Sequence, residues 1–170
     1  MAKTTFKDFL NSSLKDLKVE LVDEFDRNFE RKAFFDRPWK ETKYDNHIGS
    51  LMMRAGDLRR GMTADIESGV GVRFTNSMPY AVIHNEGGET HPRVTPLMRA
   101  WAWRQFKETG EAFYKSIALT KKETLTVKID ARPFIGHHPE VDNIVTRIVD
   151  DNIQEAFDDL FAQMQREARG

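Results

Sequence analysis

The sequence predicts an α+β fold: a short antiparallel sheet packed by a long N-terminal helix and a C-terminal helix, with an additional helical insertion. Three observations carry that expectation. Apolar residues recur at spacings of three and four near both ends of the chain, short alternating runs lie between them, and glycine and proline punctuate the boundaries. With 170 residues, 39% hydrophobic and 31% charged, the chain has the composition of one globular domain that buries roughly 70% of its unfolded surface. Residues 1–170 are therefore read as a single domain.

The first helix follows from Phe6, Phe9, Leu10, Leu14, Leu17, Leu21, Val22, Phe25, Phe29 and Ala33, which return at helical spacing among charged residues. Thr5 with Asp8 forms a capping box at its start. Over residues 5–34 the rod spans about 45 Å, with Asn11, Ser12 and Ser13 marking the place for a bend. So long a stripe can be covered in two ways: part of it meets a neighbouring subunit, or all of it crosses its own sheet. On the first arrangement Phe25 and Phe29 are subunit-contact candidates.

Arg37-Pro38-Trp39 and the polar run through Asn46 and His47 make residues 35–49 a loop. Leu51, Met52, Met53, Leu58 and Met62 around Gly56 give a short helix or turn. Residues 63–67 form a first strand and Ser68-Gly69 its turn. In residues 69–75, Val70, Val72 and Phe74 alternate with Gly71 and Arg73, the pattern of an antiparallel partner strand. Pro79 opens one or two helical turns through Tyr80 and His84, which Gly87-Gly88 end. From Thr95, with Pro96 in the first turn, Leu97, Ala100, Trp101, Trp103 and Phe106, then Phe113, Tyr114 and Ile117, give two helical segments parted near Gly110. Leu125, Val127 and Ile129 alternate as a third strand, which stops at Arg132-Pro133 because proline cannot continue a ladder. His138-Pro139-Glu140 opens the final helix. Val141, Ile144, Val145, Ile148, Ile153, Phe157, Leu160, Phe161 and Met164 keep its spacing, and the charged tail frays near Arg169.

Composition excludes several kinds of chemistry. Lysine and arginine number 26 against 27 acidic residues, a net charge of -1, so nucleic acid requires a local patch. With no cysteine, disulfides, thiolate catalysis and cysteine-ligated metal sites fall away. The first residues lack the apolar core of a secretory signal, and no stretch approaches the ~20 apolar residues of a membrane span, which predicts a cytosolic chain. His47, His84, His91, His137 and His138 show no H-E-x-x-H or i, i+4 pairing, so they are expected as exposed turn histidines and not as a metal site. His84 differs, since it follows an apolar run and its imidazole is placed to hydrogen-bond a backbone group. Residues 68–72 look like a glycine-rich phosphate loop but carry no Walker lysine and no following helix. There is no G-x-S-x-G elbow.

Four motifs in order are more specific than any one alone. Trp39-Lys40 follows the long helix; then come Arg54-Ala55-Gly56-Asp57-Leu58-Arg59, Pro79-Tyr80-Ala81-Val82-Ile83-His84-Asn85-Glu86-Gly87-Gly88 and Ala131-Arg132-Pro133-Phe134-Ile135-Gly136. This series resembles the phage virion morphogenesis family, which includes the tail-completion proteins of Mu-like phages and their prophage relatives. The likeness covers nearly the whole chain. It departs at residues 89–122, which are longer and more aromatic than in compact members, and at Ala55, where many members carry threonine or serine.

The resemblance implies a small α+β subunit that forms a homo-oligomeric ring, contacts other phage neck and tail proteins, and is found in the virion after assembly in the host cytoplasm. It implies no enzyme activity, cofactor, metal or membrane, and no nucleic acid except DNA passing through an assembled ring. Trp39, Gly56, Leu58, Arg59, Pro79, Tyr80, His84, Gly87, Gly88, Arg132, Pro133, Phe134 and Gly136 are then structural landmarks. Arg132 in particular is placed to hold a loop through carbonyls or a carboxylate. Trp101, Trp103 and Phe106 join Phe25 and Phe29 as contact candidates, one tryptophan packing inwards while the other meets a partner. Two other classes compete: a nucleic-acid-binding module using the basic and aromatic residues 93–107, and a hydrolase using His84 with Glu86 or Asp130.

Overall fold

An apolar stripe 26 residues long is buried only if something runs alongside it, and the last helix does. The computed structural model describes residues 6–42, 49–67 and 71–169. In chain order its elements are α1 (Phe6–Arg31), β1 (Ala33–Phe34), β2 (Arg37–Pro38), α2 (Asp57–Arg60), β3 (Met62–Glu67), β4 (Gly71–Asn76), α3 (Ala81–Glu86), β5 (Gly88–Thr90), α4 (Pro96–Thr109), α5 (Ala112–Leu119), β6 (Val127–Ile129) and α6 (Pro139–Ala168). The expected Thr5 cap, the Ser68-Gly69 turn and His47 lie outside the described residues.

Helix α1 continues unbroken through Asn11, Ser12 and Ser13. The Ser13 hydroxyl donates to the Phe9 carbonyl one turn back at 3.0 Å, which keeps that polar group inside the helix. Helix α6 lies antiparallel against it: Arg147 pairs with Glu20, and Asn152 Nδ2 donates to Asp16 at 3.0 Å. Leu14, Leu17, Leu21 and Phe25 of α1 close a first core with Phe34 and Ile148. The β3–β4 hairpin adds Val72 and Phe74 to it, with the Phe74 ring edge-on to Phe25 at 4.9 Å. Its register runs from Met62 opposite Asn76 to Glu67 opposite Gly71, so Ala64 and Phe74 share the buried face.

Two expectations change here. The first helix stops at Arg31 instead of residue 34, because Lys32 takes a left-handed φ of 54° and turns the chain into a small β1–β2 hairpin that spans the expected helix end and the start of the expected loop. Alternating Val127 and Ile129 do not extend the β3–β4 hairpin. Instead β6 pairs with Gly88–Thr90, a strand that two glycine-flanked polar residues did not announce, and the described sheet consists of separate two-stranded ribbons.

Helices α4 and α5 stand beyond the β5–β6 ribbon, which is prolonged by an Arg93–Thr124 bridge and by Leu125 N–H donating to the Pro92 carbonyl at 3.0 Å. Thr95 caps α4 by accepting from the Met98 N–H at 3.1 Å, and Gly110 at φ 73° ends it where the sequence places the break. Ala102, Ile117 and Ala118, with Met98 and Leu125, form a small core of their own. The insertion is thus an arm with its own packing, carried on a β-ribbon neck.

Candidate functional site

The landmark segments, scattered from residue 39 to residue 136, meet at the C-terminal end of α1. Phe29, Trp39, Leu58, Ala81 and Phe134 form a second buried core. Phe134 is at its centre, 1% exposed, with its ring 5.2 Å from Phe29, and Trp39 is edge-on to Phe29 at 5.7 Å. Rings at these separations add about 0.5–1.5 kcal/mol per pair beyond area burial.

A loop driven this deep must pair its backbone, and side chains do so. Trp39 Nε1 donates to the Pro133 carbonyl at 2.6 Å. Asn28 Nδ2 donates to the Phe134 carbonyl at 3.3 Å, while Asn28 Oδ1 accepts from the Phe35 N–H at 2.9 Å. Asn85 Oδ1 accepts from the N–H groups of Phe134 and Ile135 at 2.9 and 3.2 Å. Arg132 Nε donates to the Lys40 carbonyl at 2.9 Å, and its own N–H donates to the His84 carbonyl at 2.8 Å. Arg132 therefore holds a loop through a carbonyl, as its position suggested. Asn28 and Asn85 were not singled out by sequence reasoning. Asn28 did leave one signal: it is a polar residue on the buried stripe, between Phe25 and Phe29.

The remaining landmarks frame this knot. Gly56 takes a left-handed φ of 77° before α2, which puts Leu58 inwards and Arg59 across to α1. Arg59 Nε donates to Asp26 at 2.6 Å, its Nη2 pairs again with Asp26, and the same Nη2 meets Glu30 at 2.7 Å. The hydrogen bonds that Arg59 donates to Asp26 and then to Glu30 hold the guanidinium more firmly charged than usual. Tyr80 stands edge-on to His84 at 5.8 Å. Gly88 pairs with Ile129 in the neck. Pro79 and Gly136 lie on the exposed rim.

His84 is half-buried, and its imidazole does not make the expected bond: Nδ1 is buried without a hydrogen-bond partner. Burial, then the charges of Arg132 and Arg54, push its pKa below the usual imidazole value. Asp130 is engaged elsewhere, paired with Lys40 at 2.9 Å. His138 also departs from the exposed-turn expectation. It is 3% exposed, stacks on Phe35 at 4.6 Å, accepts the Glu140 N–H at 3.2 Å as the cap of α6, and meets Asp36 at 2.8 Å. Among the described residues no group of three histidine, aspartate or glutamate side chains is placed to hold a metal ion. An open cleft of about 520 Å³ between α1 and α6 is lined by Glu20, Glu24, Arg31, Glu140 and Arg147.

The contact candidates divide. Phe25 and Phe29 are 2% and 0% exposed, so the chain's own core takes both, and neither side chain is presented to a neighbour. That corrects the first arrangement of the α1 stripe at these positions. Trp101 and Trp103 are 43% and 37% exposed, and neither is drawn fully inwards. Trp101 rests edge-on to Tyr114 at 5.6 Å and Trp103 edge-on to the half-buried Phe106 at 5.9 Å. A further uncovered apolar row was not a contact candidate: Ile153, Phe157, Leu160, Phe161 and Met164 of distal α6 are all exposed. Among the described residues no helix is long and apolar enough to cross a membrane. No protein-family model, curated protein or solved structure matches this chain.

Proposed function

We propose that this chain is a phage structural protein that completes the tail, or joins tail to head, by oligomerising into a ring. The observation that carries this reading is the convergence of four separated landmark segments on one backbone-clamped knot around Phe134. Residues that resemble a family's markers and also interlock in space are what a shared fold requires. Their roles in the knot are packing and clamping: Trp39 Nε1, Asn85 Oδ1 and Arg132 Nε are each engaged by backbone carbonyl or N–H groups. The exposed apolar side chains on the arm and on distal α6 give the folded subunit surface to bury on assembly.

On this reading, subunits made in the host cytoplasm associate on a symmetric platform and complete the tail so that it accepts a DNA-filled head. The chain works by binding, with no bond made or broken, and its partners are further copies of itself and the neck and tail proteins beside it. The test is deletion of its gene from the phage or prophage that encodes it, followed by electron microscopy of the lysate. Filled heads with unjoined or incomplete tails, restored by the wild-type gene in trans, are expected. Normal virions in the deletion lysate overturn the reading.

A further inference from the structure

Two of the uncovered apolar surfaces among the described residues lie towards opposite ends of the molecule. The arm's neck leaves the body beside the Phe134 knot, at the C-terminal end of α1. Distal α6 leaves it at the other end, because α6 runs antiparallel to α1 and its last body contact of this kind is Asn152 with Asp16. The 26 residues of α1 set these ends about 39 Å apart.

Each surface combines large apolar side chains with charge, and the charges have opposite sign. On α4, Leu97 and Trp101 are 83% and 43% exposed one turn apart, followed by Arg104 on the same face. Residues 91–125 carry seven lysines and arginines against three glutamates, a net +4. On α6, Phe157 and Phe161 are 54% and 61% exposed one turn apart, with Asp158 and Asp159 beside them. Residues 150–165 carry five carboxylates and no basic residue. A chain of net charge -1 has thus separated a basic apolar surface from an acidic apolar one.

We propose that the arm of one copy docks on distal α6 of the next, so that successive copies join head to tail. The occupant of each surface is the other surface on a second copy. Opposite charge selects it over like-with-like pairing, which sets five carboxylates against five in a tail-to-tail contact. The five exposed side chains of distal α6, each about half-covered, offer of the order of 500 Å² per copy, and an arm of matching area brings the total to about 1,000 Å². That is the lower end for a specific interface, suited to a contact that forms at high local concentration. Two different patches meeting are a heterologous interface, the type that closes rings. The inference deepens the assembly reading and rests on it for the ring, while the contact itself is tested on the purified chain.

Sedimentation velocity is compared for the full-length wild type, an arm variant (Leu97→Asp with Arg104→Glu) and a tail variant (Phe157→Ser with Phe161→Ser). All four side chains are exposed, so circular dichroism should match the wild type. The wild type should form concentration-dependent oligomers that weaken with added salt, and each variant alone should stay monomeric. An equimolar mixture of the two variants should give dimers and nothing larger, because each pair retains one intact arm and one intact tail. A wild type monomeric at its highest soluble concentration, a variant that still oligomerises, or a mixture that stays monomeric overturns the proposal. So does an arm that takes single-stranded DNA in place of a second copy. Self-association in a protein whose deletion leaves virions normal removes the phage reading and keeps this contact; tails completed by both variants do the reverse.

Discussion

At the scale of single residues, the knot around Phe134 has one component that responds to pH. The half-buried His84 has its pKa lowered by burial, with Arg132 and Arg54 adding to the shift. Above about pH 6.5, the ordinary imidazole value, both folded and unfolded chains hold it neutral and it contributes no slope. Below that value the unfolded chain takes up the proton first, so stability falls as the pH drops towards the lower folded pKa. His84→Gln should flatten that part of the stability curve, read by urea unfolding at several pH values between about 7.5 and about 5. An unchanged slope would show that the ring is protonated freely in the fold. His84 could be found from its apolar setting, and its orphan nitrogen could not, because the surroundings of the ring include Arg132, 48 positions away in the chain. A separation of 49 residues likewise hid Asn85 clamping Phe134. Trp39 and Pro133 were both marked in advance, yet nothing local says that an indole N–H finds a carbonyl 94 residues on.

Among the elements, those with a local period were legible and those made by pairing at a distance were not. Helical spacing gave α1, α4, α5 and α6 nearly to their ends, and alternation gave the β3–β4 hairpin. Spacing does not say what covers a stripe: Phe25 and Phe29 proved to be core, and the exposed row lay on the half of α6 beyond Asn152. Strand β5 has no pattern because its ladder depends on a close approach of two chain segments. Gly87 makes that approach possible. At φ 77°, a Cβ there would meet the Ala131 nitrogen at 2.9 Å and the Ile129 carbonyl at 3.1 Å. Gly110 has a similar φ of 73° but open space around it. Gly110→Ala should therefore carry only the backbone penalty, about 1–2 kcal/mol, whereas Gly87→Ala adds backbone overlap and should cost about 1–3 kcal/mol more. Chemical denaturation of the two variants side by side checks the difference, and equal losses would mean that the neck yields freely.

For the molecule as a whole, the arm is an addition to a body that is complete without it. Its core of Ala102, Ile117 and Ala118 is its own, and Thr90 is already opposite Val127 where the ribbon leaves the body. Replacing residues 91–126 with an Asn-Gly turn should close β5 onto β6 as a simple hairpin. The shortened chain should keep the cooperative unfolding of the α1–α6 body, measured by circular dichroism, while losing the proposed self-association. Loss of cooperative unfolding would make the arm part of the core. The neck itself is a ladder of three residue pairs and one bridge, and a ribbon of only two strands resists twisting far less than a broad sheet does. On the proposed assembly, the contact that the arm makes would therefore help to set the direction in which it projects. If copies join as proposed, a chain linked through so pliant a joint would adapt its angle from one neighbour to the next, and circles of different circumference could be built from the same part.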